Sequence, residues 1–428
     1  MNLGGTHLQQ PSWLERRSWT FGLVAATLPP KEGGFALALL ILGVLRPSAR
    51  QVREALAEFW PLLLLFLLGC IGTYASIDYG FSPLDAARSM FYLARIPVLF
   101  MLGAMTVRRG HAGPKLLWQL FLVGSCLALF YIVRYALDPE VRFATRDYVR
   151  STIGHGEASS ALVPFVAALL WRRAEGSASK AVLITGMLLS VVSIVLATSR
   201  FYLVVIVASM VVAAWPNRGR RKLRIPVLGI LFTALLFTTP LLSSLGLDRW
   251  LPVGLNEIAA RNLGDIASIN NEWRGYETYM AFRSAQIDGM PLLLMGHGFA
   301  ATADLGLSIS LAGEDYQRIG IFHNVFAYLI VHYGVLGIGL YLLQFALLAA
   351  EPRRTGVPNG SGADRNRLYI LALVTLAVGS PVLGGLFNDS NFLEFMMFLL
   401  GTGAVLGTQP SLHHRRIDHL PRTNIIKV

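Results

Sequence analysis

Two histidines lie in sequence contexts where an imidazole could take a proton near neutral pH. His297 occurs in MGHGF, and His323 occurs in IFHNVFAY, directly before a long apolar run. At such a membrane boundary an imidazole can hold a hydroxyl group and accept its proton. We predict His323 as a general base, with Asn324 helping to orient it. The competing interpretation is that His323 only fixes the start of the following helix by hydrogen bonding.

A third histidine, His332, lies deeper in the same apolar run. It follows His323 by nine residues, which puts the two on opposite faces of a helix. They therefore make a poor pair of metal ligands.

Arginines are the second group that could carry chemistry. The planar guanidinium binds phosphate oxygens in pairs and keeps its proton, whereas lysine offers only a point charge. Arg200, in TSRFYL, lies at a tight turn between two apolar runs with no adjacent carboxylate. This placement favours a phosphate ligand over an anchor at the membrane interface.

Two further arginines share one apolar run. Arg88 and Arg95 are seven residues apart, which places them on the same face of a helix. Arg88 can pair with Asp85. Arg95 is deeper and should face the protein interior or a water-filled cavity. We expect structural pairing for both, and we keep both as candidates for the site.

The sequence lacks the motifs of several common enzyme classes. The chain has no Walker loop, no HExxH and no CxxC pair, so it lacks the usual ligands for nucleotides and zinc. We therefore predict no cofactor and no metal. An enzyme acting outside the cytoplasm must then draw its energy from an activated substrate or a gradient.

The elements that must position these residues are membrane helices. Hydrophobic residues make up 54% of the 428 residues and charged residues only 14%, against about 25% charged in soluble domains. We predict an all-α polytopic membrane protein, with 1–428 as a single membrane domain and about twelve transmembrane helices. The predicted spans are 13–29, 33–45, 59–77, 84–106, 115–137, 158–171, 181–198, 200–215, 225–245, 322–349, 368–387 and 391–408.

Lysine and arginine cluster in alternate connections, and such positively charged loops stay in the cytoplasm. This pattern places both termini and the connection 351–367 inside, and the composition of 351–367 predicts a flexible linker. The connection 246–321 faces outward. It is too long for a passive turn, so we predict one large outward loop with short helices. The net charge of +12 is spread over short clusters, which reflects topology and excludes a nucleic-acid partner.

The sequence resembles a family, the O-antigen ligases, within a wider superfamily of membrane polysaccharide polymerases and ligases. His323-Asn324 is followed after nine residues by Gly334 and after two more by Gly337. This spacing resembles the ligase pattern of a histidine, a small polar residue and two spaced glycines.

Two further stretches carry the resemblance. In WRGYETYMAFRSAQIDGMPLLLMGHGF, Arg274 resembles the superfamily's loop arginine, and Gly296 and Gly298 resemble the Gly-x-Gly segment that follows a proline. The TSRF turn around Arg200 is similar to the superfamily's Ser-Arg turn, with a phenylalanine in place of the glycine that often follows.

The resemblance implies an inverting, metal-independent glycosyltransferase of lipopolysaccharide biosynthesis. The implied donor is a polysaccharide on undecaprenyl pyrophosphate, and the implied acceptor is a sugar hydroxyl of lipid A-core. The enzyme would lie in the lipid bilayer of the Gram-negative inner membrane, multi-pass, with its active site facing the periplasm. The implied roles are a base at His323 and pyrophosphate ligands at Arg200 and Arg274. Additional candidates are Arg283, Arg318, His297, Asn324 and Asp389.

Two other functions remain open. An O-antigen or exopolysaccharide polymerase uses the same donor, but polymerases commonly have two substantial outward loops, and here 138–157 is short beside 246–321. A lipid-linked-sugar flippase or other transporter also fits the span count. The sequence shows no repeat of broken helices in two halves, which disfavours a transporter.

Overall fold

The computed structural model describes the greater part of the chain. The described residues are 22–23, 26, 31–75, 82–108, 114–138, 157–171, 173–197, 200–214, 269, 273–287, 289–311, 314–350, 361–383, 387 and 391–404. Within them the chain is mostly helical.

The helices before the large loop are α1 Lys31–Leu45, α2 Ala49–Glu58, α3 Trp60–Ala75, α4 Pro83–Arg108, α5 Pro114–Leu137, α6 Glu157–Ala161, α7 Val163–Trp171, α8 Ser177–Leu196 and α9 Arg200–Ala214. The later elements are α10 Trp273–Ile287, α11 Met290–Met295, strands β1 Ala303–Leu311 and β2 Glu314–Ile319, α12 Val325–Ala350, α13 Ser361–Leu383 and α14 Asn391–Gly403.

Four helices in the described part of the chain are long and apolar enough to cross a membrane. These segments are Pro83–Thr106, Leu116–Leu137, Ser177–Leu196 and Val325–Ala350. The bent pair α2 and α3, at 74°, would make a fifth. Shorter apolar helices are Gly33–Leu45, Ser159–Trp171, Asn366–Ala377 and Leu393–Gly403. The described part of the chain is therefore mostly helical, and its apolar helices are consistent with the predicted helical membrane protein.

The full count of twelve spans and the orientation remain predictions. The predicted span 225–245 lies outside the described residues, as does nearly all of 13–29.

Small residues let the helices approach closely in the core. A Cβ at Gly103 of α4 would overlap the carbonyl oxygen of Phe398 in α14, and a Cβ at Gly401 of α14 would overlap that of Phe100 in α4. Membrane helices associate through such close contacts because lipid gives no hydrophobic drive between them. The α4–α14 pair therefore forms a tightly packed centre.

The large loop differs in one respect from the sequence prediction. The expected short helices are present as α10 and α11, but an antiparallel hairpin of β1 and β2 follows them. The sequence prediction named only short helices for this loop and did not include the hairpin, although ADLGLSISL alternates apolar and polar residues, which is the period of a strand. The hairpin packs against α10.

The end of the predicted linker 351–367 is helical. Helix α13 begins at Ser361, so 361–367 is helical, while 351–360 lies outside the described residues.

Candidate active site

The described structure brings His323 together with Glu277, a residue of α10. The Glu277 carboxylate accepts hydrogen bonds from His323 through both oxygens: Oε1 from the backbone N–H, and Oε2 from ring Nδ1 at 2.9 Å. The His323 side chain is 51% exposed, whereas that of Glu277 is 1% exposed. A half-exposed imidazole is thus held by a buried carboxylate.

This contact determines what the His323 ring can do. A carboxylate only accepts hydrogen bonds, so Nδ1 carries the proton in the neutral ring and Nε2 carries the lone pair. A base that is fixed in this tautomer by a carboxylate is the arrangement of hydrolase triads. His323 can therefore accept a proton at Nε2 from a group on its exposed side.

Asn324 caps the helix that begins beside His323. Its Oδ1 accepts the N–H of Phe326 at 2.9 Å, which caps the first turn of α12. Its Nδ2 donates to Oγ1 of Thr278 at 3.2 Å, and that hydroxyl donates to the carbonyl of Arg274 at 2.7 Å. His323 and Asn324, directly before α12, are therefore bonded to Glu277 and Thr278 of α10, which fixes the start of α12 relative to α10.

Among the loop arginines that the structure describes, Arg274 is the best placed for this site. On a helix it lies about 60° from Glu277, on the same side as Thr278, whereas Arg283 lies about 180° around the helix from Arg274. Arg274 is half-buried and Arg283 is exposed. Arg283 instead lies near Tyr276, on the side of α10 that faces β1.

The hairpin is attached to the side of α10 that carries Tyr276. The Tyr276 hydroxyl donates to the carbonyl of Leu305, and burial raises the pKa of that hydroxyl above its ordinary value. Arg318 is exposed and lies opposite Asp304 in the register of the hairpin.

Arg95 has a structural partner. It is fully buried in α4, and its Nη1 lies 2.7 Å from Oε1 of Glu394 in α14. The guanidinium also lies over the ring of Tyr92, 4.8 Å from its centroid. In a buried ion pair of this kind, the charges of Arg95 and Glu394 compensate each other. Arg88, one of the other candidates, is exposed.

Two candidates cannot be compared with the site in the same way. Arg200 begins α9, which packs against α7 and α13, but its side chain is outside the described part of the structure. Asp389 lies wholly outside it. Their roles remain predictions.

The glycines of the sequence motifs have a clear physical role. Gly334 breaks α12 with φ 65° and ψ −165°, and a Cβ there would overlap the backbone of Leu294. Gly296 and Gly298 also have positive φ, and a Cβ at Gly296 would overlap the backbone of His332 and Tyr333. Glycine is needed where backbones approach this closely. The segment 296–299 therefore lies directly against the break in α12.

His297 belongs to this backbone junction. Its N–H donates to the carbonyl of Val331 at 2.9 Å, and the side chain is half-buried. The neighbouring segment is also tied to α3, because the N–H of Phe299 donates to Oγ1 of Thr73 at 2.7 Å.

Glu277 is the residue that sequence reasoning missed. The available signal was that it is the one acidic residue of α10, three positions after Arg274. Among the described residues, no group of three or more His, Cys, Asp or Glu side chains could hold a metal ion.

No protein-family model matches this chain, and no curated protein matches it either. The likeness to O-antigen ligases therefore rests on the sequence motifs.

Proposed function

We propose that this chain is a glycosyltransferase that joins a polysaccharide from undecaprenyl pyrophosphate to a sugar hydroxyl of lipid A-core. The observation that carries the proposal is the Glu277–His323 pair at the start of a membrane-length helix. Transfer to a hydroxyl needs a base for its proton, and a buried carboxylate both orients an imidazole and stabilises the imidazolium that forms.

The reaction follows from this base and the nearby arginine. The acceptor oxygen attacks the anomeric carbon of the donor while Nε2 of His323 takes the hydroxyl proton. The bond from that carbon to the pyrophosphate oxygen breaks, and its electron pair leaves with undecaprenyl pyrophosphate. Attack opposite the leaving group inverts the anomeric configuration.

The leaving pyrophosphate needs positive charge. Arg274, on the same side of α10 as Thr278, supplies it in this scheme, and Arg200 is the second ligand. Bidentate guanidinium contacts stabilise the charge that develops as the bond breaks. The activated donor supplies the driving force, so no nucleotide or metal is consumed.

The proposed location is the Gram-negative inner membrane, with 246–321 in the periplasm. Cysteine labelling tests the orientation in a variant that lacks Cys70 and Cys126. In intact spheroplasts, an impermeant reagent should modify a cysteine at Asp265 and leave one at Gly360 unmodified. The reverse result would invert the topology.

One assay tests the reaction itself. Purified protein is incubated with lipid-linked polysaccharide and lipid A-core, in the presence of a chelator and without nucleotide, with the His323→Ala variant as control. The proposal expects polysaccharide joined to lipid A-core by the wild type. Donor chains that lengthen without the acceptor would indicate a polymerase instead, and the absence of any covalent product would contradict both activities.

A further inference from the structure

The break in α12 exposes backbone carbonyls that another segment satisfies. The carbonyls of Val331 and His332 accept the N–H groups of His297 and Gly298, each at 2.9 Å. In a continuous helix, these carbonyls would bond to N–H groups four residues later, across Gly334. The non-helical conformation of Gly334 therefore makes the segment 296–299 part of the support for the first half of α12.

The side chain of His332 adds a second connection at the same place. Its ring is buried, with Nδ1 2.9 Å from the carbonyl oxygen of Gly298 and Nε2 3.1 Å from that of Gly320. The ring stacks on Tyr328 with centroids 4.1 Å apart, which fixes its plane. Both partners are carbonyl oxygens, and a neutral imidazole has one N–H, so the contact to Gly320 is a hydrogen bond in the tautomer that is protonated at Nε2. His332 thus lies between the segment after α11 and the end of the hairpin.

Gly320 matters because it comes three residues before His323. The short stretch 320–323 is therefore held at both ends: His332 contacts the carbonyl of Gly320, and Glu277 accepts the backbone N–H of His323. A shift of this stretch would move the His323 ring relative to a bound hydroxyl. Misplacement by about 1 Å can cost roughly 100-fold in rate.

We infer that His332 is a positioning residue for His323, acting through the carbonyl of Gly320. This inference rests on the proposed function, and it assigns His332 a role distinct from binding metal or substrate. The contact to Gly320, rather than the one to Gly298, transmits the effect to the site.

Two substitutions separate the contacts of His332. The glutamine amide nitrogen is as many bonds from Cα as histidine Nε2, so His332→Gln keeps a donor towards Gly320. The asparagine amide nitrogen matches Nδ1, so His332→Asn keeps a donor towards Gly298 only. We expect His332→Asn to lower the transfer rate by about 10- to 100-fold and His332→Gln to remain within about threefold of wild type, both with unchanged donor KM. Equal losses in the two variants would contradict the inference.

A double-mutant cycle tests whether the effect passes through His323. In a His323→Ala background, His332→Asn should cause no further fall in transfer, because the group being positioned is gone. A merely structural role would give the same fold-loss in both backgrounds and would refute the inference. Tyr341→Phe is the matched control. Tyr341 lies in the half of α12 after Gly334, and the substitution removes its buried hydrogen bond to Ser380 of α13. It should leave the rate unchanged.

A readout without substrate keeps this test separate from the proposed function. Diethyl pyrocarbonate modifies imidazoles, and mass spectrometry can follow the modification of His323. His332→Asn should change the modification rate of His323 at least threefold, and His332→Gln should not. An unchanged rate in His332→Asn would overturn the positioning role, whereas absence of transfer by the wild type would overturn only the proposed function.

Discussion

Replacing Glu277 by glutamine changes one atom of the site and keeps its volume. In the native site both carboxylate oxygens accept a proton of His323, one from the backbone N–H and one from ring Nδ1. A glutamine amide has one accepting oxygen and one donating nitrogen. One of the two contacts must therefore be lost or reversed.

The size of the effect follows from these two contacts. A hydrogen bond to a charged group contributes about 1.5–3 kcal/mol, and about 1.4 kcal/mol corresponds to tenfold in rate. If the amide nitrogen faces the ring, Nδ1 becomes an acceptor and the proton moves to Nε2, which blocks the base. The same carboxylate-to-amide change in a serine protease triad costs about 10⁴-fold. We expect Glu277→Gln to lower transfer by roughly 10²- to 10⁴-fold.

The assay is single-turnover transfer of lipid-linked polysaccharide to lipid A-core, with donor binding measured separately. Donor affinity should stay within about threefold, because Glu277 acts on the base and not on the pyrophosphate. Asp304→Asn is the matched control, since it removes an exposed carboxylate of the same loop and keeps an acceptor for the N–H of Gly306. A Glu277→Gln protein with a near-normal rate would refute the reasoning.

Further predictions concern the arginines and the helix break. Arg274→Lys and Arg200→Lys should each reduce transfer at least tenfold, because losing a bidentate contact costs on the order of 1.5–3 kcal/mol. The control variant Arg283→Lys should have little effect. Wild-type rates in Arg274→Lys and Arg200→Lys would remove their assignment as pyrophosphate ligands. Gly334→Ala should lower stability by about 1–3 kcal/mol, measured as thermal unfolding in detergent, because its positive φ and the nearby Leu294 backbone exclude a Cβ. Gly339→Ala in the same helix, where nothing lies within 4 Å of the added Cβ, should be neutral or stabilising, and equal losses in both would contradict this explanation.

The sequence was sufficient to single out His323 and several positions that need glycine. His323 precedes an apolar run long enough to cross the membrane, and helix α12 begins at Val325, as that pattern predicts. The burial of Arg95 also follows from its depth in an apolar run. These inferences need only local sequence, because membrane length and charge cost act locally.

What the sequence did not give depends on contacts between distant segments. Glu277 and His323 are 46 residues apart, and nothing in local spacing pairs them. The partner of Arg95 is 299 residues away, in α14. The hairpin is a different case, since the alternating apolar and polar residues of β1 favour a strand from local sequence alone. The sequence prediction named only short helices for this loop.

The most direct test of the central claim is the transfer rate of His323→Gln. Glutamine can donate and accept hydrogen bonds at this position but cannot take a proton at neutral pH, so it separates a base from a structural residue. We expect His323→Gln and His323→Ala both to lose roughly two to four orders of magnitude in single-turnover transfer, with donor binding nearly intact. Near-normal turnover by a folded His323→Gln protein would contradict it, and transfer would then depend on arginine electrostatics and positioning alone.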